Sequence, residues 1–188
     1  MEIIYNTKVK ETFIEPSLFH NIKIKNNYKS NNLYDVLLKE KENKILVSLL
    51  QSCPLLYTRK TILIDIKIKH YLSGNYTCNN INWHLDGRRL TKLFDPSHDN
   101  IYHILSWGGP TTQFITFPFV SSFLNCPQHS LIVPLQLSLM PFYSLSPFLW
   151  HTYGELHWHK CPLILSPCSR VFIRIVESNY LKQIKLKN

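Results

Sequence analysis

Two hydrophobic periods divide the chain. Leu33, Val36, Leu37, Ile45, Leu46, Leu49 and Leu50 recur at helical spacing, with residues 39–42 on the opposite face, so the spacing predicts an amphipathic helix over 33–51. Asn31 or Asn32 can cap its start, and Cys53-Pro54 ends it, because proline cannot extend the hydrogen-bond ladder. Beyond Pro54 the period becomes two. Ile62, Ile64, Ile66 and Ile68 alternate with Thr61, Leu63, Asp65, Lys67 and Lys69, which predicts a half-buried strand with a basic outer face. Further strands are expected over 80–86, 101–107, 113–117, 131–139, 155–159 and 170–176, with turn residues between them. Residues 1–32 alternate weakly and are rich in Asn and Lys, which suggests one or two early strands and then a polar connection. A helix followed by many short strands implies an α+β chain, mainly β, built as an antiparallel jelly roll with the helix packed outside.

Length and composition narrow this to one domain spanning 1–188, with a core over about 58–178: 188 residues at 45% hydrophobic suffice for one core and fall short of two. A formal net charge of +9 favours anionic partners. It permits contact with nucleic acid, although no motif indicates one. Between residues 100 and 154 there is no Lys, Arg, Asp or Glu, but prolines 110, 118, 127, 134, 141 and 147 interrupt the stretch. That spacing excludes an uninterrupted membrane-spanning helix of about 20 residues. The five cysteines lack the close spacing of a zinc or redox motif, and the N-terminus lacks the features of a secretory signal. Reduced thiols and a cytoplasmic location are the expectation.

The candidate chemistry lies in the segment Trp83-His84-Leu85-Asp86-Gly87. On a strand, residues i and i+2 share a face, so His84 and Asp86 project together while Trp83 and Leu85 pack behind them. A third ligand is available from His157 or His159, which share one face of a later strand. Arg170 follows at the start of the last strand, and its planar donor fork suits a carboxylate. Arg174 lies on the same face, placed to meet substrate or solvent.

These residues resemble the metal motif of the Fe(II)/2-oxoglutarate dioxygenase superfamily, in which His-x-Asp is followed by a distant His and, ten or so residues later, by Arg. The match is His84-Leu85-Asp86, His159 and Arg170. The segment from Tyr71 to Tyr76 is similar to one preceding the motif in prolyl-hydroxylase-like members, and His159-Lys160-Cys161-Pro162 to the run around the distal histidine in phytanoyl-CoA-dioxygenase-like members. Gly109-Pro110-Thr111-Thr112 is similar to the segment where taurine-dioxygenase-like members place a cosubstrate-binding Thr. The resemblance covers about residues 70–176. It implies a double-stranded β-helix, the cupin-like jelly roll, with Fe(II) on His84, Asp86 and His159. It further implies 2-oxoglutarate anchored by Arg170 and Thr112, with Thr111 as the rival, and substrate met by Arg174 and His157. The implied activity is hydroxylation of a small or macromolecular, anion-tolerant substrate, with 2-oxoglutarate decarboxylated to succinate. The alternatives are a noncatalytic jelly-roll module holding a metal or ligand, and a basic nucleic-acid-binding domain.

Overall fold

The computed structural model describes residues 3–5, 9–19, 22, 24, 27–30, 32–77, 83–86, 100–116, 119–121, 139–155 and 157–179. Eleven strands lie among them: β1 (Ile3–Tyr5), β2 (Lys10–Thr12), β3 (Tyr28–Ser30), β4 (Thr61–Tyr71), β5 (Ile101–Trp107), β6 (Gln113–Ile115), β7 (Phe119–Ser121), β8 (Phe142–Ser144), β9 (Trp150–Gly154), β10 (His159–Lys160) and β11 (Cys168–Ser178). Two short helices, α1 (Leu33–Lys39) and α2 (Lys44–Gln51), follow β3. No helix among the described residues is long and apolar enough to cross a membrane.

The helical segment is broken where one helix was expected, and the break has a local cause. Asn32 caps α1 by accepting a hydrogen bond from the Tyr34 backbone N–H. Asn43 does the same for α2 through Leu46. An asparagine side chain competes for backbone donors in this way, so Asn43 starts a new helix after the solvated run at residues 40–42. Leu46, Leu49 and Leu50 on α2 are fully buried against the sheet. At about 1.5–3 kcal/mol for each buried leucine, this packing outweighs the weak intrinsic preference of so short a helix.

Six antiparallel strands form the main sheet, in the order β2-β9-β5-β11-β4-β3. A three-stranded sheet runs β10-β6-β8, and β1 pairs with β7. The chain alternates between the two larger sheets. It leaves β4 for residues 83–86, where His84 bridges His159 beside β10. It then returns to the main sheet at β5, passes to β6 in the small one, pairs with β1 at β7, rejoins the small sheet at β8, comes back at β9, crosses again at β10 and ends in the main sheet at β11. The expected strand at 155–159 is displaced: β9 closes at Gly154 and pairing resumes only at His159. The strand expected at 131–139 falls almost wholly outside the described residues, as do positions 80–82 of the one expected at 80–86, whose described positions 83–86 form an isolated bridge at His84 and no strand.

Both faces of the main sheet are covered. Ile64 and Ile66 of β4, Leu105 of β5 and Ile173 and Ile175 of β11 pack beneath Val36, Leu46, Leu49 and Leu50. On the other face, Tyr102, Ile104 and Tyr153 meet Phe114 and Leu145 across the gap to the small sheet. The register of β4 with β11 sets Asp65 opposite Arg174 and Lys67 opposite Phe172. The polar face of β4 is therefore not an outer one. Its isoleucines take the helix side, and Asp65 and Lys67 turn into the space between the sheets.

Gly108 ends β5 with φ +80°, and a Cβ there would stand 2.2 Å from the Ser169 carbonyl oxygen. Only glycine accepts both that conformation and that approach. Gly108→Ala is expected to destabilise the fold by roughly 1–3 kcal/mol and to disturb the neighbouring Arg170, which denaturant unfolding beside a ligand titration would detect. A wild-type unfolding midpoint would contradict it.

Candidate metal centre

His84, Asp86 and His159 converge. One nitrogen from each imidazole and one carboxylate oxygen lie within 4.8 Å of one another. His84 and His159 are opposed in an antiparallel bridge, with each backbone N–H donating to the other's carbonyl at 2.9 and 3.0 Å. Asp86 shares the His84 face by two-residue alternation, as the sequence implies. Trp83 and Leu85 are buried behind it.

His159 and Asp86 are presented in the state a metal requires. The Nδ1–H of His159 donates to the His157 carbonyl at 3.0 Å, which leaves Nε2 as the free lone pair, 3.5 Å from Asp86 Oδ2. With all three donor atoms within 4.8 Å of one another, His84, Asp86 and His159 would be the residues to hold a metal ion there. Burial lowers the His159 imidazole below its ordinary range, and it is neutral near neutral pH. Burial alone would raise the Asp86 carboxyl, but His159, Arg174, His84 and a hydrogen bond from Tyr153 outweigh it and hold the group below its usual range. Tyr153 donates to Asp86 Oδ2 at 3.4 Å, and Arg174 Nη1 stands 3.5 Å from the same oxygen. Two imidazoles and one carboxylate on one side of an open cavity are a donor set that could hold a divalent metal ion.

His157 is placed differently from its rival. It is buried against Phe114 and Tyr153, its Nδ1–H donates to the Gly154 carbonyl at 3.0 Å, and it stands outside the converging group. Its backbone carbonyl, however, orients His159. A carbonyl or carboxylate behind a ligating imidazole commonly fixes its tautomer.

The three candidate ligands open on a cavity of about 190 Å³ whose wall also includes Lys67, Tyr71, Thr77, Thr112, Tyr153, Phe172, Arg170 and Arg174. Thr112 is on that wall, whereas Thr111 is buried with its hydroxyl donating to the Leu145 carbonyl. Arg170 is 5% exposed, and its Nε and Nη2 have no hydrogen-bond partner. Its guanidinium reaches the Tyr71 hydroxyl, which in turn donates to the Thr77 carbonyl at 2.9 Å. Burial pulls the Arg170 guanidinium below its ordinary value, with Tyr71 opposing. Arg174 behaves oppositely: Asp86 and Asp65 overcome its burial and secure its charge.

Sequence reasoning missed Asp65, Lys67, Tyr71 and Tyr153 as parts of this site. Asp65 offered a signal, because an acidic residue inside a strand of isoleucines needs a partner, here Lys67 at 2.7 Å and Arg174 at 3.3 Å. Cys161, also on the wall, is disulfide-bonded, contrary to the expectation of reduced thiols, while Cys53 and Cys168 are free. The chain matches no protein-family profile, and no curated protein matches it.

Proposed function

We propose that the chain is an Fe(II)- and 2-oxoglutarate-dependent oxygenase built on a double-stranded β-helix. Support for the fold comes from the path of the chain, which steps back and forth between two facing antiparallel sheets and places the ligand-bearing segments on the small one. The observation that carries the function is Arg170. A buried guanidinium with two unsatisfied donors is costly unless something acidic occupies the space before it. That space is the cavity that also receives His84, Asp86 and His159. A small dicarboxylate held at one end by the metal and at the other by the arginine meets both demands.

Each residue then has a task. His84, Asp86 and His159 hold the ion on one side and leave the cavity side open. Arg170 grips the distal carboxylate with its donor fork, the Tyr71 hydroxyl steadies the guanidinium, and Thr112 offers a further hydroxyl. Tyr153 and Arg174 keep Asp86 ionised and orient its carboxylate through Oδ2, the oxygen that faces His159. Phe172 and Phe114 exclude water from the space. When bound there, iron and 2-oxoglutarate would, with dioxygen as the oxidant, supply the chemistry that places one oxygen atom on a substrate and the other in succinate, with release of carbon dioxide.

Succinate formation measured against 2-oxoglutarate concentration tests the reading. Arg170→Lys keeps the charge and loses the fork. Arg170→Ala leaves a buried carboxylate without its partner, a cost of roughly 2–5 kcal/mol, or about 30-fold and upward in the concentration required. The requirement should rise from wild type to Lys to Ala, with metal uptake unchanged. Wild-type behaviour in both variants would move the anchor to Arg174. Absence of succinate from the wild-type protein with a broad mixture of substrates would favour a noncatalytic module.

A further inference from the structure

Once Arg170 and the candidate metal ligands are assigned, the cavity still holds a cation without a task. Lys67 projects from β4 into it and its side chain is 45% exposed, which places its ammonium at the opening. Its charge partner is Asp65, at 2.7 Å, but Arg174 also reaches Asp65, at 3.3 Å. Asp65 and Asp86 therefore share Arg174, and one carboxylate oxygen of Asp65 serves two cations. If Lys67 swings away, Asp65 keeps its arginine. The four-carbon stem gives Lys67 that freedom, whereas Arg174 is held between two acids.

Charge bookkeeping leads to the same residue. Among the described residues of this region, Lys67, Arg170 and Arg174 face only Asp86 and Asp65, so one positive charge is left over. A divalent ion adds two, and a dicarboxylate cosubstrate removes two. The excess remains and is nearest the opening. Two further lysines stand beside it on the same side of the sheet. Lys29 of β3 is opposite Asp65, and Lys69 of β4 is opposite Arg170, both exposed. Strand neighbours lie about 4.8 Å apart, so these ammonium groups line one approach to the cavity. A cleft of one charge sign concentrates ligands of the other.

We propose that Lys67, with Lys29 and Arg174 beside it, forms a second oxyanion subsite at the mouth of the cavity, which takes an acidic group of the substrate and leaves Arg170 to the cosubstrate. The assignment of the bound anion to a substrate rests on the oxygenase reading. The subsite itself does not, since it needs neither metal nor cosubstrate.

The test is calorimetric titration of the metal-free, full-length protein with inorganic phosphate at constant ionic strength, balanced with chloride. Wild type and Arg170→Met should share one Lys67-dependent phosphate site, and any phosphate taken by Arg170 itself deeper in the cavity should be lost from Arg170→Met alone. Lys67→Met should bind phosphate at the shared site at least tenfold more weakly, and Lys67→Arg should recover most of the difference. Lys67 is half-exposed, so thermal melting should report a folded Lys67→Met protein, and Lys67→Arg guards against the contrary case. Acetate and a short oligothymidylate, titrated in the same way, separate a carboxylate from a phosphate and a small ester from a nucleic-acid backbone. Whichever is bound most tightly must be weakened by Lys67→Met. Wild-type affinity in Lys67→Met, loss in Arg170→Met instead, or no binding of any of the three by wild type would overturn the proposal. Arg170→Met is read by phosphate here, and Arg170→Lys and Arg170→Ala by 2-oxoglutarate above, so either reading can fail while the other stands.

Discussion

Asp86→Ala and His159→Ala proteins are expected to take up essentially no Fe(II) under anaerobic conditions, where the wild type is expected to take up about one ion per chain. A three-ligand site reduced to two retains neither the geometry nor, for Asp86, the charge that offsets the dication. The His159 result should be the sharper diagnostic. Its Nδ1 is engaged with the His157 carbonyl, so the ring cannot simply rotate to be replaced by a neighbour. His157→Ala keeps that backbone carbonyl, and its uptake should stay within about tenfold of wild type, the lower end of losses seen when a group behind a ligand is altered. His84→Ala should behave like Asp86→Ala. Metal analysis after gel filtration, together with the absorption of a Co(II)-loaded sample, measures all four. Full uptake by the His84→Ala protein would remove the metal centre, and with it the oxygenase reading.

The ligand pair on one strand was legible because two-residue alternation needs nothing beyond local geometry: His84 and Asp86 must share a face wherever the strand lies. The choice between His157 and His159 was not, since it depends on which ring turns its Nδ1 to which carbonyl, a matter of backbone path after Gly154. The orientation of β4 was misread for a physical reason. Alternation separates its isoleucines from Asp65 and Lys67 but does not say which set faces solvent. Here helices cover one face and the small sheet only part of the other, so Asp65 is buried while Lys67 and Lys69 keep contact with solvent. A polar face lining an internal cavity has the same sequence signature as a solvated one. The helix break at residues 40–43 was legible in principle, since Asn43 is an N-cap residue type, but the apolar spacing of Ile45, Leu46, Leu49 and Leu50 continues that of Leu33 and Val36 and masks it. β9 was missed because Trp150-His151-Thr152-Tyr153 sits in a long uncharged stretch where apolar residues occur on both faces.

On the helix side of the main sheet, far smaller groups carry a large share of stability. His103 and Glu177 are both fully buried, and His103 Nε2 stands 2.9 Å from Glu177 Oε1. The same carboxylate oxygen accepts the Leu56 backbone N–H at 2.7 Å, and Thr152 bonds His103 Nδ1 at 2.9 Å. Burial lowers the His103 imidazole below its ordinary value, with Glu177 opposing, so the ring is neutral, its Nε2–H donating to the carboxylate and its Nδ1 accepting from the threonine hydroxyl. Glu177→Ala would orphan two buried donors at once. The expected cost is about 1–3 kcal/mol, the range for a buried donor left without its acceptor, which for a chain of this size lowers the melting temperature by roughly 2–12 °C. Glu177→Gln retains an acceptor for Leu56 and His103 and should cost markedly less. Acidification should act through His103 in a defined direction. Its folded value lies below the unfolded one of about 6.5, so the unfolded chain takes up the proton first. Stability contributed by the neutral ring is then present above about pH 6.5 and is lost as pH falls from there toward the lowered folded value, by up to about 1.4 kcal/mol per pH unit. Urea unfolding of wild type and His103→Gln between pH 5 and pH 8 measures it. A wild-type slope equal to that of His103→Gln would assign the acid sensitivity to other groups, with buried His151 the next to replace.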